Sequence, residues 1–136
     1  MQLLTIITMA LLIAIALVHF YWAFGGTIGI SVAIPTKNGK ALFQPKKWAT
    51  FGVGIVMLGF AWIAYSLCFS VASFLWVHVF GWVISVIFIV RAIGDFHVVG
   101  FFKKVQDTMF ARYDTTYYSP LTLFLGVVFS LLSYSA

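Results

Sequence analysis

Seven side chains could do chemistry in a chain otherwise almost devoid of it: His19, Trp22, Arg91, Asp95, Lys103, Asp114 and Tyr118. Arg91 and Asp95 stand four residues apart, the spacing that puts two side chains on one helical face. An ionisable group inside an apolar stretch is a functional candidate by default. The plainer reading makes the pair a structural clamp, or lets Arg91 extend its long stem to the nearest water. His19 offers an imidazole that could donate or accept a proton toward a pocket lined by Trp22, Arg91, Asp95 and Tyr118. The plainer reading there is a histidine bonded to a neighbouring helix. Lys103 and Asp114 complete this candidate polar cluster.

Other chemistry is excluded by what the residues lack. His78 and His97 have no identifiable company, and no His or Asp pair shows the helical ligand spacing of a metal site, Asp95-x-His97 being the nearest approach, so no metal is expected. Cys68 is the single cysteine, which rules out an intramolecular disulfide and a cysteine cluster. A phosphate-cradling glycine loop, a nucleophile elbow, and a Ser or Cys beside a base are all missing, and no cofactor is expected.

The elements that must position the cluster follow from composition. At 136 residues, the chain has room for one domain, 63% of residues are hydrophobic and 8% charged, and mean hydropathy is +1.09. These values lie far outside soluble globular domains and point to a lipid bilayer as the solvent. A helix needs about 20 apolar residues to cross about 30 Å of hydrocarbon. Residues 3–25 fit one crossing. Residues 48–94 contain Arg91 as their only formal charge and are long enough for two, about 48–67 and 74–94, with the turn expected over residues 66–73, where Ser66, Cys68, Ser70 and Ser73 lower the hydrophobicity. A fourth span, 119–135, is expected to open at Ser119-Pro120, with the serine capping free N–H groups and the proline at the first helical position. The apolar N-terminus lacks a basic leading segment and a small-residue cleavage site, so it reads as a retained span and not a signal peptide. The fold class is thus an all-α membrane protein, a four-transmembrane-helix bundle forming a single domain over residues 1–136.

Basic residues set the orientation. Lys37, Lys40, Lys46 and Lys47 follow the first span; Arg91, Lys103, Lys104 and Arg112 lie at or after the end of the third. Two crossings separate the groups, so they share a side, and the positive-inside rule makes that side the cytoplasm, with both termini outside. A net charge of +5 therefore serves the membrane, and nucleic acid is not a partner. Aromatic belts are expected from Trp22, Trp48, Tyr113, Tyr117 and Tyr118 on that side and from Trp76 and Tyr134 on the other. Asn38-Gly39 supplies the positive φ angles of a two-residue turn, so a short cytosolic β-hairpin is expected, the alternative being an irregular loop with one tight turn. Residues 96–113 place Val98, Phe101, Phe102, Val105, Met109 and Tyr113 at helical spacing, the pattern of an interfacial amphipathic helix. Small residues recur four apart, as in Gly81/Ser85 and Gly126/Ser130, a pattern expected to serve packing within the bundle.

His19-x-x-Trp22-Ala23-x-Gly25-Gly26, Leu42-Phe43-x-Pro45, Arg91-Ala92-Ile93-Gly94-Asp95-Phe96, Gly100-Phe101-Phe102-Lys103 and the stretch from Phe110-Ala111-Arg112 to Tyr117-Tyr118-Ser119-Pro120 together resemble a bacterial family of short four-span membrane proteins, domain of unknown function three-nine-nine-five. The resemblance covers nearly the whole chain. It implies a multi-pass protein of the bacterial inner (plasma) membrane, and it brings no activity. Two functions remain. With no Glu and no catalytic constellation, the first is a non-catalytic accessory or binding protein whose cytosolic-side polar cluster binds a partner membrane complex or a lipid. The alternative is an intramembrane enzyme or receptor for a small apolar molecule, with a pocket near His19, Arg91 and Asp95.

Overall fold

Four helices in the computed structural model, which describes residues 1–71 and 74–136, are long and apolar enough to cross a membrane. The chain runs α1 (Gln2–Ala23), α2 (Ile30–Ala33), β1 (Thr36–Lys37), β2 (Lys40–Ala41), α3 (Lys47–Phe69), α4 (Leu75–Ile93), α5 (Met109–Tyr113) and α6 (Ser119–Ser135). Each long helix is apolar nearly all round, as a span must be when lipid touches one face and protein the other. Ser66 lies within α3, and the chain leaves the helix at Ser70, whose φ of 52° is left-handed. The turn expected over residues 66–73 thus begins at its fifth position, and Ser73 lies outside the described residues.

The bundle is two tightly packed pairs, α1 on α3 and α4 on α6, that meet each other less extensively. In lipid the helices gain little from hydrophobic exclusion, so close backbone approach through small residues supplies the attraction. The Gly81/Ser85 and Gly126/Ser130 pairs do this within the chain. A side chain on Gly126 would press on Ile89 and the Ser85 carbonyl, and Ser85 Oγ donates to the Gly126 carbonyl at 2.7 Å beside Ser130 Oγ. Leu12, Ala64, Ile84, Leu125, Phe129 and Leu132 fill the space between the four helices.

The irregular structure gathers at the basic end. The hairpin forms as the Asn-Gly pair dictates: Asn38 and Gly39 take φ of 54° and 75°, and Lys37 pairs with Lys40, Thr36 with Ala41. The expected amphipathic helix over residues 96–113 is absent; residues 94–108 are turns and bends, and helix begins only at Met109. Helical spacing of apolar residues could not overcome three backbone commitments: Gly94, Phe96 and Gly100 all have positive φ, which no right-handed helix accepts.

The start of the last helix is corrected as well. Thr108, not Ser119, is the cap, its Oγ1 accepting from Ala111 N at 3.0 Å. Helix then continues through a π-helical segment, Asp114–Tyr118, into α6, while Ser119 Oγ is buried with no partner among the described residues. Pro120 is tolerated there because the wider π turn displaces the carbonyl that a proline ring would otherwise strike.

Candidate functional site

Asp114 is the centre of the polar cluster. It opens the π-helical segment and is fully buried. A buried carboxylate survives only if its lone pairs are occupied. Asp114 Oδ1 takes Arg91 Nη2 at 2.8 Å; Oδ2 takes the Gly100 N–H at 2.7 Å and Lys103 Nζ at 3.2 Å. Lys103, whose side chain is 1% exposed, also donates to the Gly100 carbonyl at 3.0 Å and to Thr115 Oγ1. One acid thus ties the end of α4, the loop after it and the start of the last helix into a knot. Its π turn is the local reason, since one extra residue per turn brings a side chain inward that regular helix would carry past.

The expected Arg91–Asp95 pair does not form. Helix α4 ends at Ile93 and Gly94 turns the chain at φ 86°, so the four-residue spacing no longer measures a helical face. Asp95 instead closes its own loop, with Oδ1 accepting from the backbone N–H groups of His97, Val98 and Val99 at 2.9, 2.9 and 3.2 Å. Its slight burial pulls the carboxyl up, but the three N–H donors and the His97 charge outweigh that and leave it below the ordinary carboxylate value. The loop returns so tightly that Phe101 N donates to Ala92 O at 2.8 Å. Gly94 and Gly100 pack backbone to backbone, and a Cβ on either would strike a carbonyl of the other side, Val99 or Ile93. These two glycines and Thr115 were not singled out from spacing. The signal available was the Gly-x5-Gly frame around Asp95.

His19, Trp22 and Tyr118 are not part of the knot. Tyr118 Oη donates to the Val32 carbonyl at 2.9 Å and so pins α2 to the last helix. His19 and Trp22, ring centroids 5.3 Å apart, line a cleft of about 760 Å³ between the end of α1, the 24–46 loop folded over it, and the start of α3. Its wall is mainly apolar, including Ile30, Phe43 and Val53, and Lys47 stands at it. His19 Nδ1 lies 2.8 Å from the Ile15 carbonyl, which assigns the proton to Nδ1 and leaves Nε2 without a partner among the described residues. Trp22 Nε1 donates to the Ile28 carbonyl at 2.8 Å, and the Ile28 N–H donates to Tyr21 Oη at 3.3 Å, so two aromatic side chains hold the loop in place. Gly26 lies flat on the Tyr21 ring, where any side chain would collide. Arg91 and Asp95 do not line this cleft.

No group of three His, Cys, Asp or Glu side chains among the described residues is placed to hold a metal ion.

The chain belongs to the family described as Protein of unknown function (DUF3995), whose model matches residues 12–129. No curated protein and no solved structure matches it.

Proposed function

We propose that the protein is a non-catalytic multi-pass protein of the bacterial inner membrane that binds a membrane lipid, and that its site is the cleft between α1, the 24–46 loop and α3. The single observation that carries this reading is the cleft itself. Its volume of about 760 Å³ falls in the range of about 300 to 1,000 Å³ typical of small-molecule sites, and it joins a mostly apolar wall to a few polar groups, as such sites do. The knot around Asp114 supports the choice from the other side, because each Asp114 oxygen is already occupied by the chain's own donors. With the basic residues facing the cytoplasm, the cleft opens at the inner interface, where lipid headgroups and acyl chains meet.

Native mass spectrometry after mild-detergent extraction tests the proposal. The parent should carry one lipid-mass adduct per chain. Ala33→Trp from the loop side and Val53→Trp from α3 should each remove it, while Leu123→Trp, on the exposed surface of α6, should keep it. Undiminished adduct in both cleft variants would exclude this cleft as the site.

A further inference from the structure

We infer that the lipid held in this cleft is an anionic phospholipid, its phosphate at Lys47 and its chains along Trp22, Ile30, Phe43 and Val53; the inference rests on the cleft being the lipid site. The first reason is charge. The three acids of the chain are Asp95, Asp107 and Asp114, so residues 1–94 contain no carboxylate side chain. The loop that roofs the cleft nonetheless carries Lys37, Lys40 and Lys46, and Lys47 follows it at the start of α3. Among the described residues none of these four is in an ion pair, whereas Arg91 and Lys103 share Asp114. Asp107 and Lys37 both line a separate cleft of about 580 Å³ and form no ion pair among the described residues. Of the four, Lys47 lines the lipid cleft, and with no carboxylate of the described residues paired to it, it is free to hold an anion from outside.

The second reason is the placement of that charge on the apolar wall. Lys47 is the first residue of α3 and lines the cleft together with Val53, six residues and about 9 Å further along the helix. Its Nζ sits within 4.0 Å of the position a Gly25 side chain would occupy, so it reaches across from α3 to the end of α1. Lys46, at the N-cap of α3, makes no side-chain cap bond, and the first N–H groups of the helix add a further positive end beside Lys47. A cation at the mouth and apolar side chains below match a phospholipid, phosphate above and acyl chains beneath. Phosphatidylglycerol, which carries one negative charge on its phosphate, is the probe.

The test reconstitutes the full chain in nanodiscs of phosphatidylcholine and phosphatidylglycerol at about nine to one, extracts it in mild detergent and weighs what stays bound. Phosphatidylglycerol should be enriched over its bulk share. Lys47→Gln should cut that enrichment by about fivefold, the factor that one basic residue's attraction to an anionic membrane represents, while still retaining one lipid per chain. The hairpin variant Lys37→Gln with Lys40→Gln should change it far less. A bound lipid at the bulk ratio would overturn the anionic assignment and leave the lipid site standing. Loss of enrichment as large in the hairpin variant as in Lys47→Gln would also overturn it, since diffuse attraction to a charged surface would then suffice. An empty parent would overturn both.

Discussion

Two regions at the same end of the bundle use similar residues to opposite effect. The knot gathers Arg91, Lys103 and Asp114 with two glycines and gives each oxygen of the acid a donor from the chain, with Arg91 Nη1 left buried without a partner among the described residues. The cleft has His19, Trp22 and Lys47, no acid, and a space of about 760 Å³ between them. Burying a charge costs several kcal/mol unless partners replace the lost water, so a buried ionic cluster needs its acid and its cations matched within the chain. A charge at a mouth keeps part of its water and can stay unmatched until a ligand arrives. The matched charges of the knot thus fit a structural role, and the unmatched cation of the cleft fits the proposed site.

Removing the centre of the knot gives the largest expected effect. Asp114→Leu leaves Lys103 buried and unpaired and should cost about 3 to 5 kcal/mol, read as thermal unfolding in detergent. Arg91→Leu alone should cost less, because its side chain is 32% exposed and part of its charge is already screened. Combining Arg91→Leu, Lys103→Met and Asp114→Leu should recover much of the loss. A triple variant as unstable as Asp114→Leu would mean that shape, not charge, holds the knot.

A smaller effect separates the two regions by their glycines. Gly100→Ala puts a Cβ into the Ile93 carbonyl at a φ of 86° and should cost about 2 to 3 kcal/mol. Gly39→Ala at the hairpin tip, with φ 75° and open space around it, carries only the left-handed penalty of about 1 kcal/mol. Equal losses would show that the close Gly94–Gly100 packing is not under strain-free necessity.

The smallest effect probes the loop that the knot suspends. The Asp95 carboxyl lies below its ordinary value of 3.8 when folded, so its contribution is present above that pH and is lost as the pH falls through the folded value. Asp95→Asn should therefore melt slightly below the parent at pH 6, and the gap should close below about pH 4. A gap that persists in acid would assign the loss to the amide's shape and not to the charge.

How much was legible in the amino-acid sequence differs between these regions. The four spans were, because bilayer thickness fixes helix length and a long uncharged run has no other stable form; residues 3–25, 48–67 and 74–94 all fall within two residues of the observed helix bounds. The hairpin was legible too, since Asn38-Gly39 needs no distant partner to take positive φ. The fourth helix was read ten residues short, because Ser119-Pro120 mimics a start that the π turn bridges. The partner of Arg91 was beyond reach: spacing pointed to Asp95, four residues away, and the structure supplies Asp114, twenty-three away. The cleft was legible only in part: His19 and Trp22 line it as expected, but its other walls are the 24–46 loop folded back over them and the start of α3, in place of Arg91, Asp95 and Tyr118. Length, hydropathy and local turns are properties of a segment and can be read from it. Which carboxylate meets which cation, and where a space is left open, depends on how segments far apart in the chain come together, and only the packed bundle decides that.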